Sequence, residues 1–369
     1  MSLNSHKRDL GNCTYCPKLC RFCCPAAEAE HSETVTPWAK MSLVEMVRAG
    51  RLEACDEVGE VFYHCFACLH CRTHCKHEND VPAALLSARN MVLTGGGEPA
   101  GVSSFLGKFY DTANPWGIDL SAEYKKLVDK RYFVPEAQAV LFSGCDAIKN
   151  GNDNLKKTFE LMELIGVDYL AAFDGTDLCC GMPLWQAGDR EGFKAHAKKM
   201  VGSLSSYRTI VCPCPTCVYA LKTLYEEVDL KISAEIVHMT EFLGPIIKNT
   251  KPQRRVSGSF VFHDPCYLGR YLEKTNLPRE ILASVLEEEL SELVWEGQDA
   301  ACCGGGGLVK HVLPEIAEQA AVLRMDQLKS SGANSVATAC PGCIEKLGSV
   351  ADALEVVDLI EILYLAYQK

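Results

Sequence analysis

The sequence predicts an α/β protein in which two related α/β domains follow a smaller, helical, cysteine-rich domain. Three observations support this architecture. Ten of the 21 cysteines form one pattern that occurs twice, short apolar runs alternate with helical stretches around both copies, and eight further cysteines form two close groups before residue 80. Alternation of strands and helices favours parallel sheets covered by helices. We expect domains at residues 1–95, 136–250 and 251–369, with a helical linker at 96–135.

Composition restricts the partners and the environment. The chain has 369 residues with a net charge of −11, which argues against a nucleic-acid partner because phosphate binding needs clustered lysine and arginine. No apolar run approaches the roughly 20 residues that span a bilayer, and residues 1–11 lack the apolar core of a signal peptide. We therefore expect a cytoplasmic protein without direct membrane insertion. In that reducing compartment, clustered cysteines indicate metal or redox sites.

The N-terminal cysteines form two quartets. The later quartet, with intervals of two, two and three residues, consists of Cys65, Cys68, Cys71 and Cys75. The earlier quartet, whose middle interval is one residue longer, consists of Cys13, Cys16, Cys20 and Cys24. The later spacing is that of bacterial ferredoxins, in which the fourth cysteine of each run binds the other cluster. Zinc is disfavoured because its sites usually come as two separated pairs.

Exchange of the fourth cysteines assigns the ligands of two [4Fe–4S] cubes. Site 1 is expected at Cys13, Cys16, Cys20 and Cys75, and site 2 at Cys65, Cys68, Cys71 and Cys24. Cys23 is an alternative ligand beside Cys24, although the proline after Cys24 favours the latter. Because the later quartet is complete, four nearby histidines are expected to face solvent or to tune the potential through hydrogen bonds: His64, His70, His74 and His77.

Helices are expected around and after these quartets. A Thr-Pro pair at 36–37 is a helix-start signal before an apolar stretch. Asp-Val-Pro at 80–82 predicts a second helix that the glycines at 95–97 end, and a weaker helix is expected at 121–129. We interpret 81–135 as a helical bracket that fixes the N-terminal domain against the rest of the chain.

The repeated pattern is a lone cysteine, then Cys-Cys-Gly, then Cys-Pro-x-Cys. The first copy, site 3, consists of Cys145, Cys179, Cys180, Cys214 and Cys217; the second copy, site 4, consists of Cys266, Cys302, Cys303, Cys340 and Cys343. Five thiolates per copy exceed what one tetrahedral zinc can use, which indicates iron and sulfide. Cys212 is a rival to Cys214, but Cys214 reproduces the spacing of the second copy.

Both copies repeat an order of strands and helices. Short runs predict strands at 137–142, 167–173, 209–211, 260–262, 292–295 and 336–337, and helices are expected at 155–165, 189–203 and 314–328. The cysteines of sites 3 and 4 fall where strands end and helices begin, which is where parallel sheets bind ligands. Gly181 and Gly304 are expected to bind the cofactor by permitting close backbone approach to a bulky inorganic group. The glycine run at 304–307 fits neither nucleotide-binding motif.

The doubled pattern resembles the CCG cysteine-rich domains of the catalytic subunit of heterodisulfide reductase. With a ferredoxin-like domain ahead of two such domains, the sequence is similar to the D-type form of that enzyme, in which these domains share one polypeptide. The arrangement also resembles iron–sulfur subunits of anaerobic glycerol-3-phosphate, glycolate and lactate dehydrogenases and of large anaerobic complexes, including those of aromatic-ring reduction. The resemblance covers nearly the whole sequence and is specific for the superfamily rather than for a substrate.

This resemblance implies that the ten cysteines of sites 3 and 4 are catalytic. Each set would hold a noncubane [4Fe–4S] cluster, and a disulfide would be split or formed between the two. The protein would then be an iron–sulfur oxidoreductase that works within a complex, with two cubane and two noncubane clusters. No flavin or nicotinamide motif occurs in the sequence, so the expected partner is another redox subunit of flavoprotein, ferredoxin, hydrogenase or membrane-cytochrome type. A small-molecule disulfide or thiol is the candidate substrate.

A second function uses the same residues. The protein could be an electron-transfer subunit that links a dehydrogenase or ferredoxin to quinone or to a larger reductase, without its own disulfide substrate. The completeness of both cysteine sets favours the disulfide chemistry. His263 and Asp264, just before Cys266, would either protonate a departing thiolate or order the loop beneath the cluster. The ordering role is favoured because a lone histidine near a site is weak support.

Overall fold

The structure, a computed structural model, describes residues 2–134, 137–151, 153–175 and 177–369. The part before the repeats contains α1 (Lys7–Thr14), α2 (Pro25–Glu30), α3 (Pro37–Arg48), α4 (Asp56–Tyr63), α5 (His70–Thr73), α6 (Val81–Gly95), α7 (Ala100–Thr112) and α8 (Leu120–Leu127). Short 3₁₀ turns lie at Leu3–His6, Arg21–Cys23 and Lys130–Tyr132. The predicted domain boundary between residues 135 and 136 lies outside the described residues.

The first repeat builds a parallel sheet of β1 (Ala139–Leu141), β2 (Leu170–Ala172), β3 (Thr209–Cys212) and β4 (Glu235–His238) in the order β2-β1-β3-β4. Its helices are α9 (Cys145–Asn150), α10 (Asn154–Leu164), α11 (Met182–Ala187), α12 (Arg190–Leu204), α13 (Pro215–Tyr219) and α14 (Met239–Asn249). A π-helical turn at Ala220–Leu224 and a 3₁₀ turn at Glu226–Val228 follow α13. Strands β1 and β2 are wholly buried and apolar, as parallel strands covered on both faces are.

The second repeat builds a smaller parallel sheet of β5 (Phe260–Phe262), β6 (Ser335–Thr338) and β7 (Glu355–Asp358), in that order. Its helices are α15 (Asn276–Val285), α16 (Val309–Val312), α17 (Pro314–Lys329), α18 (Pro341–Gly348) and α19 (Leu359–Tyr367). A π-helical turn at Tyr267–Tyr271 follows Cys266, and a 3₁₀ turn lies at Gly297–Asp299. Mixed α/β architecture with two parallel sheets confirms the predicted fold class.

Helix-start and helix-stop residues account for the helices predicted in the first part. The Thr36 hydroxyl accepts a hydrogen bond from the Ala39 amide (3.2 Å) at the start of α3. The Asp80 carboxylate accepts one from the Ala83 amide (2.9 Å) at the start of α6, which ends at Gly96 in a left-handed conformation. Helix α7 lies within the linker predicted to be helical, although its bounds were not predicted, and it packs Phe105 and Phe109 into the main core.

The strand predicted at 292–295 is wrong. This segment forms no strand; only an isolated bridge joins Ser291 to Val261. Instead, the Glu292 carboxylate accepts a hydrogen bond from Arg279 (3.2 Å), and the Leu293 amide donates to the Glu296 carboxylate (3.2 Å). Side chains therefore take the place of hydrogen-bond partners on a neighbouring strand. Strands β4 and β7 were not predicted, because each has only two β-branched or apolar residues between polar ends.

Arg89 joins three parts of the chain in one buried hydrogen-bond network. Its side chain is 1% exposed and donates to the carbonyl oxygens of Phe62 (3.0 Å), Cys65 (2.9 Å), Gln186 (2.7 Å) and Gly307 (2.9 Å). These carbonyls belong to the N-terminal part, the first repeat and the second repeat. A charged donor that satisfies four buried carbonyls orders all three parts around it, as the predicted bracket requires.

The apolar interior is continuous between the two repeats. One buried cluster contains residues of both sheets together with α7 and α8, whereas the N-terminal helices α1, α3, α4 and α6 form a smaller cluster of their own. A third small cluster, between α2 and α17, contains Cys24, Cys68 and Cys302. Within the described ranges, no helix combines the length and apolarity needed to cross a bilayer.

Candidate metal centres

The five cysteines of site 3 lie together at the carboxyl ends of the first sheet. Cys145 begins α9 immediately beyond β1, the Cys-Cys pair precedes α11, and Cys214 and Cys217 flank the start of α13 beyond β3. All five are buried. Their thiols form a continuous series of hydrogen bonds in the order Cys145, Cys179, Cys180, Cys217, Cys214.

Site 4 repeats this arrangement in the second sheet. Its thiols are hydrogen-bonded in the corresponding order Cys266, Cys302, Cys303, Cys343, Cys340. Hydrogen bonds from neighbouring thiols lower the pKa of Cys180, Cys214 and Cys303 well below the usual value for cysteine. A lowered pKa favours the thiolate, which is the form of cysteine that binds metals. Hydrogen bonds to neighbouring thiols and burial raise the pKa of five others, Cys179, Cys217, Cys302, Cys340 and Cys343. The fit to an iron–sulfur group therefore rests on the five sulfurs gathered at each site.

Sites 3 and 4 meet in one cavity. Eight of their cysteines line it: Cys145, Cys180, Cys214, Cys217, Cys266, Cys303, Cys340 and Cys343. The thiols of Cys214 and Cys340 are hydrogen-bonded to each other across the junction of the repeats. Cys212, the rival of Cys214, is buried at the end of β3 and is not among the described residues that line this cavity.

A charged triad at this cavity was not predicted from the sequence. The Lys310 ammonium lies 3.3 Å from the Asp146 carboxylate and 3.2 Å from that of Glu345. Burial disfavours the charge on Lys310, but the two carboxylates outweigh it and raise the lysine pKa. The Trp116 indole also donates to Asp146 (3.2 Å). The proximity of Asp146 to Cys145 is a signal that the sequence offers, whereas Lys310 and Glu345 reach the site only through folding.

The four cysteines of site 2 line a second, smaller cavity. Cys24, Cys65, Cys68 and Cys71 line it together with Cys23 and Lys40. The Lys40 side chain is 1% exposed, and its ammonium donates to the Cys24 sulfur (3.8 Å) and the His64 carbonyl (2.8 Å). No carboxylate pairs with Lys40 among the described residues, so a buried cation here requires an anionic thiolate or cluster. The residues present therefore fit an anionic iron–sulfur group.

The cysteines of site 1 lie closer to the surface. Cys16, Cys20 and Cys75 are partly exposed, and Cys13 is buried. The Cys13 sulfur accepts a hydrogen bond from the Asn79 amide nitrogen (3.1 Å), although burial still raises the pKa of Cys13 to about 11. Cys16 and Cys75 both lie near enough to influence Cys13 electrostatically, so the structure brings the fourth cysteine of the later quartet to the earlier one.

A thiol contact connects site 2 with site 4. Cys68 and Cys302 are hydrogen-bonded to each other, and this bond lowers the pKa of Cys68 to about 6. The Arg270 side chain donates to the Cys68 carbonyl and to that of Ala300 (2.8 Å), which fixes both loops. Site 2 therefore adjoins the second repeat.

The nearby histidines are expected to face solvent or to tune the potential through hydrogen bonds, and the first alternative is wrong for two of them. His64 is 5% exposed and His70 is 3% exposed, so neither faces solvent, because α2, α5 and the loop at 295 pack over them. His74 is partly exposed and contacts the His70 ring nitrogen at 3.3 Å. Only His77 of the four is fully on the surface in this part of the described structure.

Asp264 and His263 have separate surroundings. The Asp264 carboxylate accepts two hydrogen bonds from Arg279 (2.6 and 2.9 Å) and one from the Gly297 amide (2.9 Å). These contacts support the loop-ordering interpretation for Asp264. His263 faces the thiols of Cys303 and Cys343.

The glycines near the cysteines differ in what they contact. A Cβ on Gly181 would lie 2.9 Å from the His196 ring, and one on Gly304 would lie 2.4 Å from the Ala317 carbonyl oxygen. Both glycines thus allow close packing against helices α12 and α17. Gly305 lines the cavity of sites 3 and 4, and a Cβ at this position would lie 3.5 Å from the Cys303 sulfur.

Comparison with known proteins agrees with the doubled pattern. The CCG family, described as a cysteine-rich domain, matches residues 139–222 and 260–348. The D subunit of the dihydromethanophenazine:CoB–CoM heterodisulfide reductase of Methanosarcina barkeri is 25% identical over 83% of this sequence and 78% of that protein. The B subunit of the fumarate reductase (CoM/CoB) of Methanothermobacter marburgensis is 27% identical over 94% and 71%. The EtfAB:quinone oxidoreductase of Syntrophomonas wolfei is 25% identical over 85% and 48%, so the present sequence spans about half of that relative.

Each of the two parallel sheets carries a five-cysteine set at its strand ends, and each repeat matches the same family model. These features define an iron–sulfur oxidoreductase. Two stretches of the sequence, one in each repeat, match the CCG cysteine-rich domain in tandem. The protein is an iron–sulfur oxidoreductase subunit related to the D subunit of heterodisulfide reductase and to other electron-transfer subunits.

Proposed function

We propose that the protein carries electrons through two ferredoxin-type clusters to two CCG-bound clusters that reduce or form a disulfide. Sites 1 and 2 would hold cubane [4Fe–4S] clusters, and sites 3 and 4 noncubane [4Fe–4S] clusters. The observation that carries this proposal is the single cavity lined by eight cysteines of sites 3 and 4, with Cys214 against Cys340. Two cysteine sets that face one cavity could act on the two sulfurs of one disulfide.

The contacts between sites give the electron path an order. Site 1 is the most exposed, site 2 adjoins site 4 through Cys68 and Cys302, and site 4 adjoins site 3 through Cys340 and Cys214. Electrons would enter at site 1 and pass through sites 2 and 4 to site 3. The donor would be another redox subunit, in keeping with the multisubunit complexes that the relatives' names describe.

The chemistry requires two electrons and two protons for each disulfide, and it yields two thiols. Iron–sulfur groups supply electrons one at a time and have iron that can bind a sulfur. The residues of the chain would exclude water and hold the substrate. Met182, Pro183 and Leu308 line the cavity with apolar surface, while Asp146 and Lys310 offer a polar edge where a proton or a charged substrate group could be held.

A relay function without a disulfide substrate is the second candidate. The relative that supports it is the EtfAB:quinone oxidoreductase, whose name describes electron transfer to quinone. Both functions use the same four sites and differ in what happens at the shared cavity.

Anaerobic turnover separates the two functions. Purified protein should contain about 16 irons and 16 sulfides, four of each per site. Under the proposed function, viologen-reduced protein is reoxidised when a small-molecule disulfide such as the mixed disulfide of two thiol coenzymes is added. Viologen that stays reduced in a fully loaded protein would favour the relay. Zinc in place of iron and sulfide would contradict both.

A further inference from the structure

Sites 3 and 4 differ at one corresponding position. In the alignment of the two copies that pairs Cys145 with Cys266, Phe142 of the first repeat corresponds to His263 of the second. Both side chains are buried just beyond the first strand of their sheets, with 0% and 1% exposure. One repeat therefore presents a hydrocarbon ring where the other presents an imidazole.

Arg324 fixes the tautomer of this imidazole. The Arg324 side chain is 1% exposed, and its Nε donates to His263 Nδ1 at 3.2 Å. A second nitrogen donates to the Trp295 carbonyl (3.3 Å) and the Gln327 side-chain oxygen (2.9 Å). Arginine has donors and no acceptor, so Nδ1 of His263 must accept. The ring is then neutral, and its proton is on Nε2.

The His263 ring also lies beside the cysteines of site 4. Its ligand atom and the sulfurs of Cys303 and Cys343 all lie within 4.8 Å of one another. Nε2 is buried and has no hydrogen-bond partner among the described residues. A buried N–H group is rarely left without an acceptor, and the acceptor at hand here is sulfur.

We infer that Arg324 and His263 act together as a positioning pair that donates an N–H···S hydrogen bond to site 4 and makes it the stronger electron acceptor of the two cavity sites. This inference rests on the proposed loading of sites 3 and 4 with iron–sulfur clusters. Hydrogen bonds to cluster sulfurs and ligands stabilise the more negative, reduced state and so raise the reduction potential.

Two arginines add positive charge around site 4, which also favours its reduced state. Arg270 lies near Cys266 and Cys302 of site 4, and Arg324 lies near Cys302 and Cys303. At site 3, the Asp146 carboxylate lies beside Cys145, and the Lys310 ammonium that pairs with this carboxylate lies near the same cysteine. In the first repeat, His196 contacts the main chain instead of a sulfur, because its Nε2 lies 2.7 Å from the Cys179 carbonyl oxygen.

The order of potentials gives site 4 a specific task. Site 4 receives electrons from site 2 through the Cys68–Cys302 contact and is the more readily reduced of the pair. The first electron would therefore be held at site 4, and site 3 would be reduced only when a second electron arrives or when substrate binds.

A redox titration of the loaded protein, followed by EPR, tests this inference without turnover. His263→Phe installs the residue of the first repeat. We expect it to lower the reduction potential of one noncubane signal by at least about 59 mV, which is a tenfold change in the one-electron equilibrium constant. The other signals should keep their potentials. The control His196→Phe removes a histidine that bonds a carbonyl and should leave the site 4 signal unchanged.

The arginine supplies a second, independent comparison in which His263 stays in place. Arg324→Met should lower the same potential, and Arg324→Lys, which keeps a cationic donor, should restore part of it. Iron analysis of each variant shows whether site 4 is loaded. If His263→Phe and Arg324→Met load fully and keep the wild-type potential, the inference is wrong, whereas a wild-type protein without clusters would overturn the proposed function instead.

Discussion

At the scale of single residues, Cys214 and Cys212 allow a sharp test of which sulfur belongs to site 3. Both are buried and only two positions apart, but only Cys214 lines the cavity and joins the series of hydrogen-bonded thiols in the described structure. We expect Cys214→Ala to lose up to about four irons, the content of one cluster, together with one noncubane EPR signal. Cys212→Ala should keep the full content.

Iron and sulfide analysis of the two variants, purified side by side without oxygen, provides the measurement. The same pair of assays on Cys24→Ala and Cys23→Ala addresses the matching choice at site 2, because both sulfurs line its cavity. Iron loss from Cys212→Ala but not from Cys214→Ala would reverse the assignment at site 3.

Sequence spacing could predict which cysteines come together, but not which sites touch. The register of the two Cys-Cys-Gly copies predicts equivalent sets because the same local structure recurs around them. The contact between Cys68 and Cys302 joins residues far apart in the sequence, and it depends on how α2 packs against α17. Arg324 and Lys310 carry no motif, so their roles follow only from tertiary packing.

At the scale of elements, the last helix has a pH-sensitive start. The Asp358 carboxylate caps α19 by accepting from the Ile360 amide (3.0 Å), and burial raises its pKa to about 6. The folded protein therefore binds this proton more tightly than the unfolded chain. Stability from this group is present at low pH and is lost as pH rises from about 4 to about 6.

Asp358→Asn should remove this loss while keeping the cap, since asparagine is an equally good N-cap. We expect the free energy of unfolding to rise by up to about 3 kcal/mol at pH 8 and by about half as much at pH 5. Anaerobic chemical denaturation at the two pH values measures it. Asp119→Asn at the exposed cap of α8 is the control and should change stability by less than about 0.5 kcal/mol. An equal gain at both pH values would contradict the prediction.

Elements with local signals could be predicted, and those defined by long-range pairing could not. Thr36 and Asp80 specify α3 and α6 through their own side-chain caps. The segment at 292–295 has apolar residues like a strand, but Arg279 draws Glu292 away from the sheet edge. No local pattern in the sequence records that competition.

At the scale of the whole molecule, the glycine loop of the second repeat sets how closely the N-terminal part approaches. Gly307 has a φ of +64°, and a Cβ there would lie 2.0 Å from the Cys65 carbonyl oxygen. We expect Gly307→Ala to separate these parts and to cost several kcal/mol. Gly332 has a similar φ of +74°, but a Cβ there would have no atom within 4 Å. We therefore expect Gly332→Ala to cost only about 1–2 kcal/mol of stability, from backbone strain.

Chemical denaturation and limited proteolysis of the two variants measure the difference. We expect new cleavage near residues 60–75 in Gly307→Ala and the wild-type pattern in Gly332→Ala. Equal destabilisation of both would mean that the left-handed backbone, not the contact with Cys65, decides the cost.

The Arg89 network also has a consequence for the order in which the molecule is made. A polypeptide emerging from the ribosome presents the Phe62 and Cys65 carbonyls first, the Gln186 carbonyl about 100 residues later, and the Gly307 carbonyl last. Until the second repeat is synthesised, the guanidinium lacks one of its acceptors. The N-terminal part therefore completes this network only after residue 307 has been synthesised.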